Sequence, residues 1–384
     1  MQLNDIITLR IEKFVQGGLA LAHHDGKVIF VEKALAGELV TAKIRKQTKT
    51  HSFATTIKVI EPGPNRIASD CAIFDRCGGC SFRHISYHDE IRLKQNLLQE
   101  HRHLRPKLGD FQMITADADH YRHHTKLQLQ AEPKAVGFFE TWSNQIVPLP
   151  ADGCKQLTEP LNEKISTITT DRQINTAKPS VSLYLNDDQT VIGSDQPANV
   201  TFSFAGFNWV YRPQMFFQAN RFLIQPWLDY IDSLVTALPN RIAVELFCGT
   251  ALIGGYVRRH LKKYTGIESD RQSIELAKQN FDRHKLSAKF QIKDLYQPKE
   301  QFGLSNYKTD LWIINPPRAG MKEPLCIEIG KSKATEIIYS SCNPQTLDRD
   351  VAILERSGFR LTRLRGFDFF PRTPHLEIIA LLQR

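Results

Sequence analysis

The stretch Val244-Glu245-Leu246-Phe247-Cys248-Gly249-Thr250 decides how the C-terminal half of this 384-residue chain folds. It closes an apolar run that begins at Ile242 and then turns on small residues. Glycine in such a turn lets the backbone approach a ligand closely. Working outward, strands are predicted at Ile242–Phe247, Tyr264–Glu268, Ala288–Lys293, Leu311–Asn315 and Glu336–Ser340, with helical segments between them. That alternation predicts a parallel sheet with helices on both faces. A helix is predicted just upstream, over Ala219–Leu238. Downstream, Leu361–Asp368 and Leu376–Leu382 are separated by Pro371 and Pro374 without a helix, so they are expected as an antiparallel pair at the sheet edge.

Ligands in such sheets bind beyond the carboxyl ends of the strands. Glu268 ends the second strand, where a carboxylate suits a ribose hydroxyl pair. Asp294 ends the third strand, and Asn315-Pro316-Pro317-Arg318 follows the fourth. A nicotinamide site would want Gly-x-Gly-x-x-Gly, whereas this loop has Gly249 and then only Gly254-Gly255. A ligand without a pyrophosphate is indicated, such as S-adenosylmethionine; an unrelated α/β domain is the alternative.

Ser340-Ser341-Cys342-Asn343-Pro344 lies just past the fifth strand, facing the same cleft. A helix expected to start near Pro344–Asp350 would favour a Cys342 thiolate, since a helix N-terminus lowers a thiol's pKa. The plainer reading is a buried structural cysteine. Glu377, in Thr373-Pro374-His375-Leu376-Glu377, enters the apolar run Ile378–Leu382. It is either a strand end in water or a cleft carboxylate, whose burial would raise its pKa and suit it to proton abstraction.

The length suggests two or three domains. Apolar residues make up 41% and charged residues 24%, an ordinary soluble composition. No apolar run approaches the roughly 20 residues needed to cross a bilayer. Met1–Arg10 lacks the plan of a signal peptide, so a cytoplasmic protein without a membrane partner is expected. The net charge of +9 favours a polyanionic partner. Runs such as Ile6–Phe14, Lys27–Val31, Leu39–Ile44 and Ala54–Ile60, with turns at Gln16-Gly17-Gly18 and Asp25-Gly26, suggest a small barrel of about five strands over residues 3–60. Lys43, Arg45, Lys46 and Lys49 make a basic strip there, either a nucleic-acid face or a solvated loop. Glu61-Pro62-Gly63-Pro64 reads as a linker, Tyr87–His103 as a helix and residues 110–205 as a mostly β domain. Cysteines number seven, and disulfides are not expected in that compartment. Cys71, Cys77 and Cys80 form C-x5-C-x2-C, and Cys154 follows far downstream. Three plus one fits an iron–sulfur cubane better than the paired C-x2-C of zinc ribbons, with zinc left open.

Together these motifs resemble the RNA uracil-C5 methyltransferases, and within them the bacterial branch acting on 23S ribosomal RNA. The likeness runs nearly end to end. Phe216-Phe217-Gln218-Ala219-Asn220, Glu245-Leu246-Phe247-Cys248-Gly249, Asn315-Pro316-Pro317-Arg318-Ala319-Gly320, Ser341-Cys342-Asn343-Pro344 and Pro374-His375-Leu376-Glu377 carry it. It implies a multidomain chain: a TRAM (OB-like) RNA-binding barrel over 1–62, a mostly β iron–sulfur domain over 66–214, and a Rossmann-like class I methyltransferase over 215–384. The helix near 87–103 would dock on the last of these. It further implies that Gln218, Phe247, Glu268, Asp294 and Asn315 bind S-adenosylmethionine, that Cys71, Cys77, Cys80 and Cys154 hold a [4Fe-4S] cluster, and that the enzyme is a monomer. Cys342 would add to uracil C6, making C5 nucleophilic, and Glu377 would remove the C5 proton. Two features depart from the family pattern. Gly249-Thr250-Ala251-Leu252-Ile253 lacks the second glycine and the asparagine of the usual cofactor loop, and Asn315 replaces an aspartate. Two other readings are a transfer-RNA enzyme and a catalytically impaired RNA-binding iron–sulfur protein.

Overall fold

The computed structural model describes residues 1–130, 134–170, 179–194, 196, 198–213, 215–237, 240–297 and 303–384. Leu238, which ends one predicted helix, Gln214, which ends the expected central domain, and parts of the predicted β region at 131–133, 171–178, 195 and 197 lie outside the described residues. The chain forms two compact units, each assembled from three stretches. The first comprises Met1–Leu97, Ala118–Leu183 and Phe370–His375; the second comprises Leu98–Asp117, Tyr184–Phe369 and Leu376–Arg384.

The first unit opens with six strands: β1 (Ile6–Arg10), β2 (Lys13–Val15), β3 (Leu19–His24), β4 (Lys27–Glu32), β5 (Leu39–Gln47) and β6 (His51–Glu61). They form one sheet in the order β1-β5-β6-β4-β3-β2. The predicted single run Ile6–Phe14 is broken in two: Ile11 donates its N–H to Glu38 and Glu12 to Leu21, so the chain changes partner at that point. Alternating side chains, among them Leu9, Ala20, Ile29, Val40 and Ala54, fill the core of this sheet. A helix, α1 (Tyr87–Leu97), follows. The same unit holds β8 (His124–Gln130), β9 (Ala135–Phe139) and β10 (Ile146–Pro148), an antiparallel meander, and α2 (Glu159–Thr170); β11 (Ser180–Leu185) and β12 (Val191–Gly193) follow along the chain.

The second unit is an eight-stranded mixed sheet. It uses β7 (Gln112–Ile114), β15 (Arg241–Leu246), β16 (Leu261–Glu268), β17 (Lys289–Ile292), β18 (Leu311–Ile314), β19 (Glu336–Ser341), β20 (Arg360–Phe367) and β21 (Glu377–Gln383). The order is β17-β16-β15-β18-β19-β21-β20-β7. Pairing is parallel from β17 through β19 and antiparallel where β21 joins β19 and β20. The five strands predicted around Val244 thus stand within a residue or so of expectation, except that β16 begins at Leu261. The β20–β21 pair is not the edge, because β7 pairs parallel with β20 and covers it. Helices α3 (Ile224–Thr236), α4 (Leu252–Val257), α5 (Arg271–Arg283), α6 (Lys322–Gly330) and α7 (Pro344–Arg356) flank the sheet. Val244, Leu246, Ile314 and Tyr339 from the strands pack with Leu325, Leu347, Val351 and Leu354 from α6 and α7.

Two helix bounds are corrected. Helix α3 starts at Ile224 rather than Ala219. Pro226 has no N–H to give to a carbonyl one turn back, so it belongs in a first turn. Helix α1 ends at Leu97 rather than His103. Beyond it Leu98 and Leu104 bury in the core of the second unit, and His103 and Leu104 donate N–H bonds to Asp348 at 2.7 and 3.1 Å. Tertiary burial outweighs local helix preference there. The boundary expected at 214 falls inside the second unit, because the hairpin β13 (Val200–Phe204) and β14 (Phe207–Tyr211) is bonded to α5. Asn280 of α5 accepts from Val210 N–H at 3.0 Å and donates to its carbonyl at 2.8 Å. The division expected near residue 62 coincides with no unit boundary.

Candidate functional site

The sheet order reverses beside β15, which pairs with β16 on one side and β18 on the other. A crevice opens at such a switch point, outside the carboxyl ends of the strands. Its floor is the loop after β15, where Phe247, Gly249 and Ala251 all take left-handed backbone angles, φ 58°, 52° and 59°. Two non-glycine residues in that region within five positions are strained, and surroundings that over-determine the loop must hold them. Those surroundings are present. Ala251 N–H closes onto Cys248 carbonyl at 2.7 Å, and Gly249 N–H donates to Glu268 at 3.1 Å. Trp209 donates its indole N–H to Thr250 at 3.1 Å. The buried Glu245 accepts from Gly254 N–H at 2.9 Å and from Tyr264 hydroxyl at 2.6 Å. A Cβ at Gly254 or Gly255 would lie 2.2 Å from the Tyr264 or Trp209 ring, so these glycines are required for the close approach.

Gln218, Phe247 and Asn315, expected at the cofactor, line one cavity with Phe216, Phe217 and Trp227. Leu252 and Ile253, which depart from the family loop, line the same cavity and make that wall apolar. Glu268 borders the cavity through Gly249. Its other oxygen accepts from the backbone N–H groups of Ser269 and Asp270 at 2.6 and 3.1 Å. Both oxygens are thereby fixed at the tip of β16. Asp294 is not among the lining residues: it is exposed and accepts from Tyr296 N–H at 3.0 Å. Tyr296 in turn packs on Phe247, with ring centroids 5.5 Å apart.

Cys342 follows β19 directly, and Glu377 begins β21. The antiparallel register ends on the pair Ser341–Ile378, so Cys342 follows that pair on one strand and Glu377 precedes it on the other. Glu377 is 3% exposed, and burial pushes its carboxyl up to about 7. Ser340 bonds it at 2.5 Å and opposes that rise. The Trp227 indole N–H donates to Ser340 hydroxyl at 3.0 Å, so the hydroxyl's single proton goes to Glu377. The Cys342 thiol is raised by burial and by the Glu377 charge, against the lowering expected from a helix N-terminus; Arg318 pulls the other way. Helix α7 does begin at Pro344, capped by Asn343, whose side chain accepts from Gln345 N–H. The same Asn343 amide donates to Arg318 carbonyl at 3.1 Å, which ties the Asn315–Arg318 loop to the nucleophile loop.

Cys71, Cys77, Cys80 and Cys154 carry no disulfide and line a single cavity in the first unit, with Arg83 and Arg122. Burial pushes the Cys80 thiol up to about 11 and raises Cys77 and Cys154. Lys33 donates to the carbonyls of Phe74 and Cys77 at 2.6 and 3.2 Å, holding the cysteine loop from the barrel sheet. Among the described residues no group of three His, Cys, Asp or Glu side chains is arranged to hold a metal ion.

Trp227 and Trp209 escaped the sequence reading, and Ser340 was quoted beside Cys342 without a role. Each acts through side-chain hydrogen bonds set by tertiary packing, and no spacing announces such bonds. Arg318 stood within a recognised motif, but only the fold brings it beside Cys342.

Residues 198–384 match the family model described as tRNA (Uracil-5-)-methyltransferase. An uncharacterized RNA methyltransferase of Leptospira interrogans is 30% identical, over 98% of this chain and 95% of its own length. The 23S rRNA (uracil(1939)-C(5))-methyltransferase RlmD of Aeromonas hydrophila is 28% identical, over 95% of this chain and 93% of its own. Among solved structures, the tRNA (uracil-54, C5)-methyltransferase of Pyrococcus abyssi, in complex with S-adenosyl-L-homocysteine, superposes with a TM-score of 0.76 at 19% identity, covering 98% of this chain and 100% of that chain. At that identity the likeness is one of fold.

Proposed function

Because the chain belongs to the RNA uracil-C5 methyltransferase family, we propose that it methylates C5 of one uridine in 23S ribosomal RNA, with Cys342 as nucleophile and Glu377 as base. The single observation that carries the roles is that Cys342, just past the end of β19, and Glu377, at the start of the neighbouring β21, flank the pair Ser341–Ile378 and lie close enough for the Glu377 charge to raise the thiol. S-adenosylmethionine supplies the methyl group. The Cys342 thiolate adds to C6 of the flipped uracil and turns C5 into a nucleophile. Arg318 favours the thiolate form, and Glu377 must be ionised to accept a proton. After methylation Glu377 takes the C5 proton, and the Cys342–C6 bond breaks to release the thiolate. Because Ser340 already donates to one oxygen of Glu377, the incoming proton goes to the other.

Strand order and the solved likeness support a class I methyltransferase fold in the second unit, and Gln218, Phe247, Glu268 and Asn315 would hold the cofactor in its crevice. Asp294 would act only indirectly, by seating Tyr296 against Phe247. The four cysteines around one cavity, with two guanidinium groups beside it, suit a polynuclear cluster whose thiolates need charge compensation. Such a [4Fe-4S] cluster would brace the loop Cys71–Cys80. The reading as a transfer-RNA enzyme draws on the family model, which matches residues 198–384, and on the archaeal structure, which is alike at 19% sequence identity, whereas the relative named for 23S ribosomal RNA is 28% identical over 95% of the chain.

The test is to map 5-methyluridine in ribosomal and transfer RNA from cells lacking the gene. Wild type and Cys342→Ala are then added back. One site in 23S ribosomal RNA is expected to disappear and to return with wild type alone. Loss from transfer RNA instead would move the substrate, and restoration by Cys342→Ala would remove the nucleophile.

A further inference from the structure

The basic strip on β5 lies beside a cluster of rings that the catalytic reading leaves without a role. Trp142, in the turn between β9 and β10, has φ 60° and is 40% exposed. A bulky residue held in the left-handed region is strained and needs a reason to be there. Its ring lies 4.8 Å from that of Phe53 on β6, inclined at 37°. Phe53 continues into Phe30 and His51, with centroids 5.4 and 5.2 Å away. The Glu32 carboxyl lies near the Trp142 indole, whose ring is held by packing on Phe53 while much of its surface is left to solvent. Lys46 from the basic strip stands over both rings, its ammonium 5.9 Å from the Trp142 centroid and 6.0 Å from Phe53. The other tryptophans of the chain, Trp209, Trp227 and Trp312, are at most 1% exposed.

A fixed, exposed indole with an ammonium beside it has the chemistry of a single-strand nucleic-acid surface. Every base has a face that can stack, and the cation meets the adjoining phosphate. We propose that Trp142 and Lys46 form a stacking platform for one unpaired base of the RNA substrate, separate from the pocket that takes the target uridine. This rests on RNA being the substrate, and on neither the identity of that RNA nor the role of Cys342.

The emission of Trp142 is isolated as the difference between wild type and Trp142→Phe, since the remaining tryptophans are common to both. The experiment titrates the full-length protein with a single-stranded oligoadenylate of about ten nucleotides, a usual site size. Emission is expected to be quenched on binding in wild type and in Cys342→Ala, and the change to vanish in Trp142→Phe. Affinity is expected to fall about ten-fold in Trp142→Ala and to be largely kept in Trp142→Phe, which retains a stacking face. Lys46→Gln should weaken binding and flatten its salt dependence. Circular dichroism of each variant separates these effects from misfolding. Unchanged affinity in Trp142→Ala, or binding without any change in emission, overturns the platform while leaving the methyltransferase reading intact. Quenching in a protein that methylates no RNA keeps the platform and overturns that reading instead.

Discussion

Glu377 has been taken out of water and given one hydrogen-bond donor, and the consequences can be measured. Its folded pKa of about 7 lies above the ordinary 4.5. As pH rises through 4.5 the unfolded chain loses this proton first, so the folded state holds a proton the unfolded state lacks. The stabilisation is therefore full below pH 4.5 and is lost as pH rises through about 7. Glu377→Gln, which cannot ionise, should be more stable than wild type above that range, by on the order of 3 kcal/mol in denaturant melts at pH 8. The same variant should add to uracil and accept the methyl group but fail to lose the C5 proton, so a covalent RNA–protein complex should accumulate in denaturing gels. Methylation by wild type should rise with pH around 7, as the base ionises. Ser340→Ala removes the donor that lowers this pKa and should move that limb to higher pH. An unmoved pH profile would show that the Ser340 contact is structural only. At this scale the sequence was legible where a residue sits in a motif, as Cys342 and Glu377 do. It assigned no role to Ser340 and Trp227, whose partners lie 37 and 113 positions away.

The elements that build the crevice are short and closely fitted. Helix α4 begins on a left-handed Ala251 and runs only to Val257, with Gly254 and Gly255 pressed on aromatic rings. Gly254→Ala should cost about 1–3 kcal/mol of stability through overpacking. It should weaken S-adenosylmethionine binding in calorimetry, because the Glu245 contact to Gly254 would shift. An unchanged dissociation constant would mean that α4 does not set the cofactor loop. On α7, Asn343→Ala removes the cap and the bond to Arg318, and should cost about 1 kcal/mol. Strands β15 to β19 were readable because buried parallel strands are runs of Val, Ile and Leu between turns. Strand β7 was not, since three residues carry too little pattern, and its place beside β20 depends on contacts more than two hundred positions apart in sequence.

At the scale of the molecule, the chain crosses between its two units repeatedly, and the short stretch Phe370–His375 belongs to the first unit between two strands of the second. Sequence reading assigns domains as continuous segments, so it returned three consecutive blocks. No local composition marks a segment that is lent from one unit to another. The four cysteines that spacing singles out line one cavity of the first unit. Protein purified without oxygen is expected to carry about four irons and a matching quantity of sulfide per chain, lost in Cys77→Ser. A single zinc, or no metal, would contradict the cluster. The most direct test of the central claim uses RNA transcribed with 5-fluorouridine, whose C5 fluorine cannot leave as a proton. With S-adenosylmethionine, wild type should form a complex that survives denaturation, and digestion should locate the modified nucleotide on Cys342. Absence of that complex in wild type, or its persistence in Cys342→Ala, would contradict nucleophilic catalysis by this cysteine.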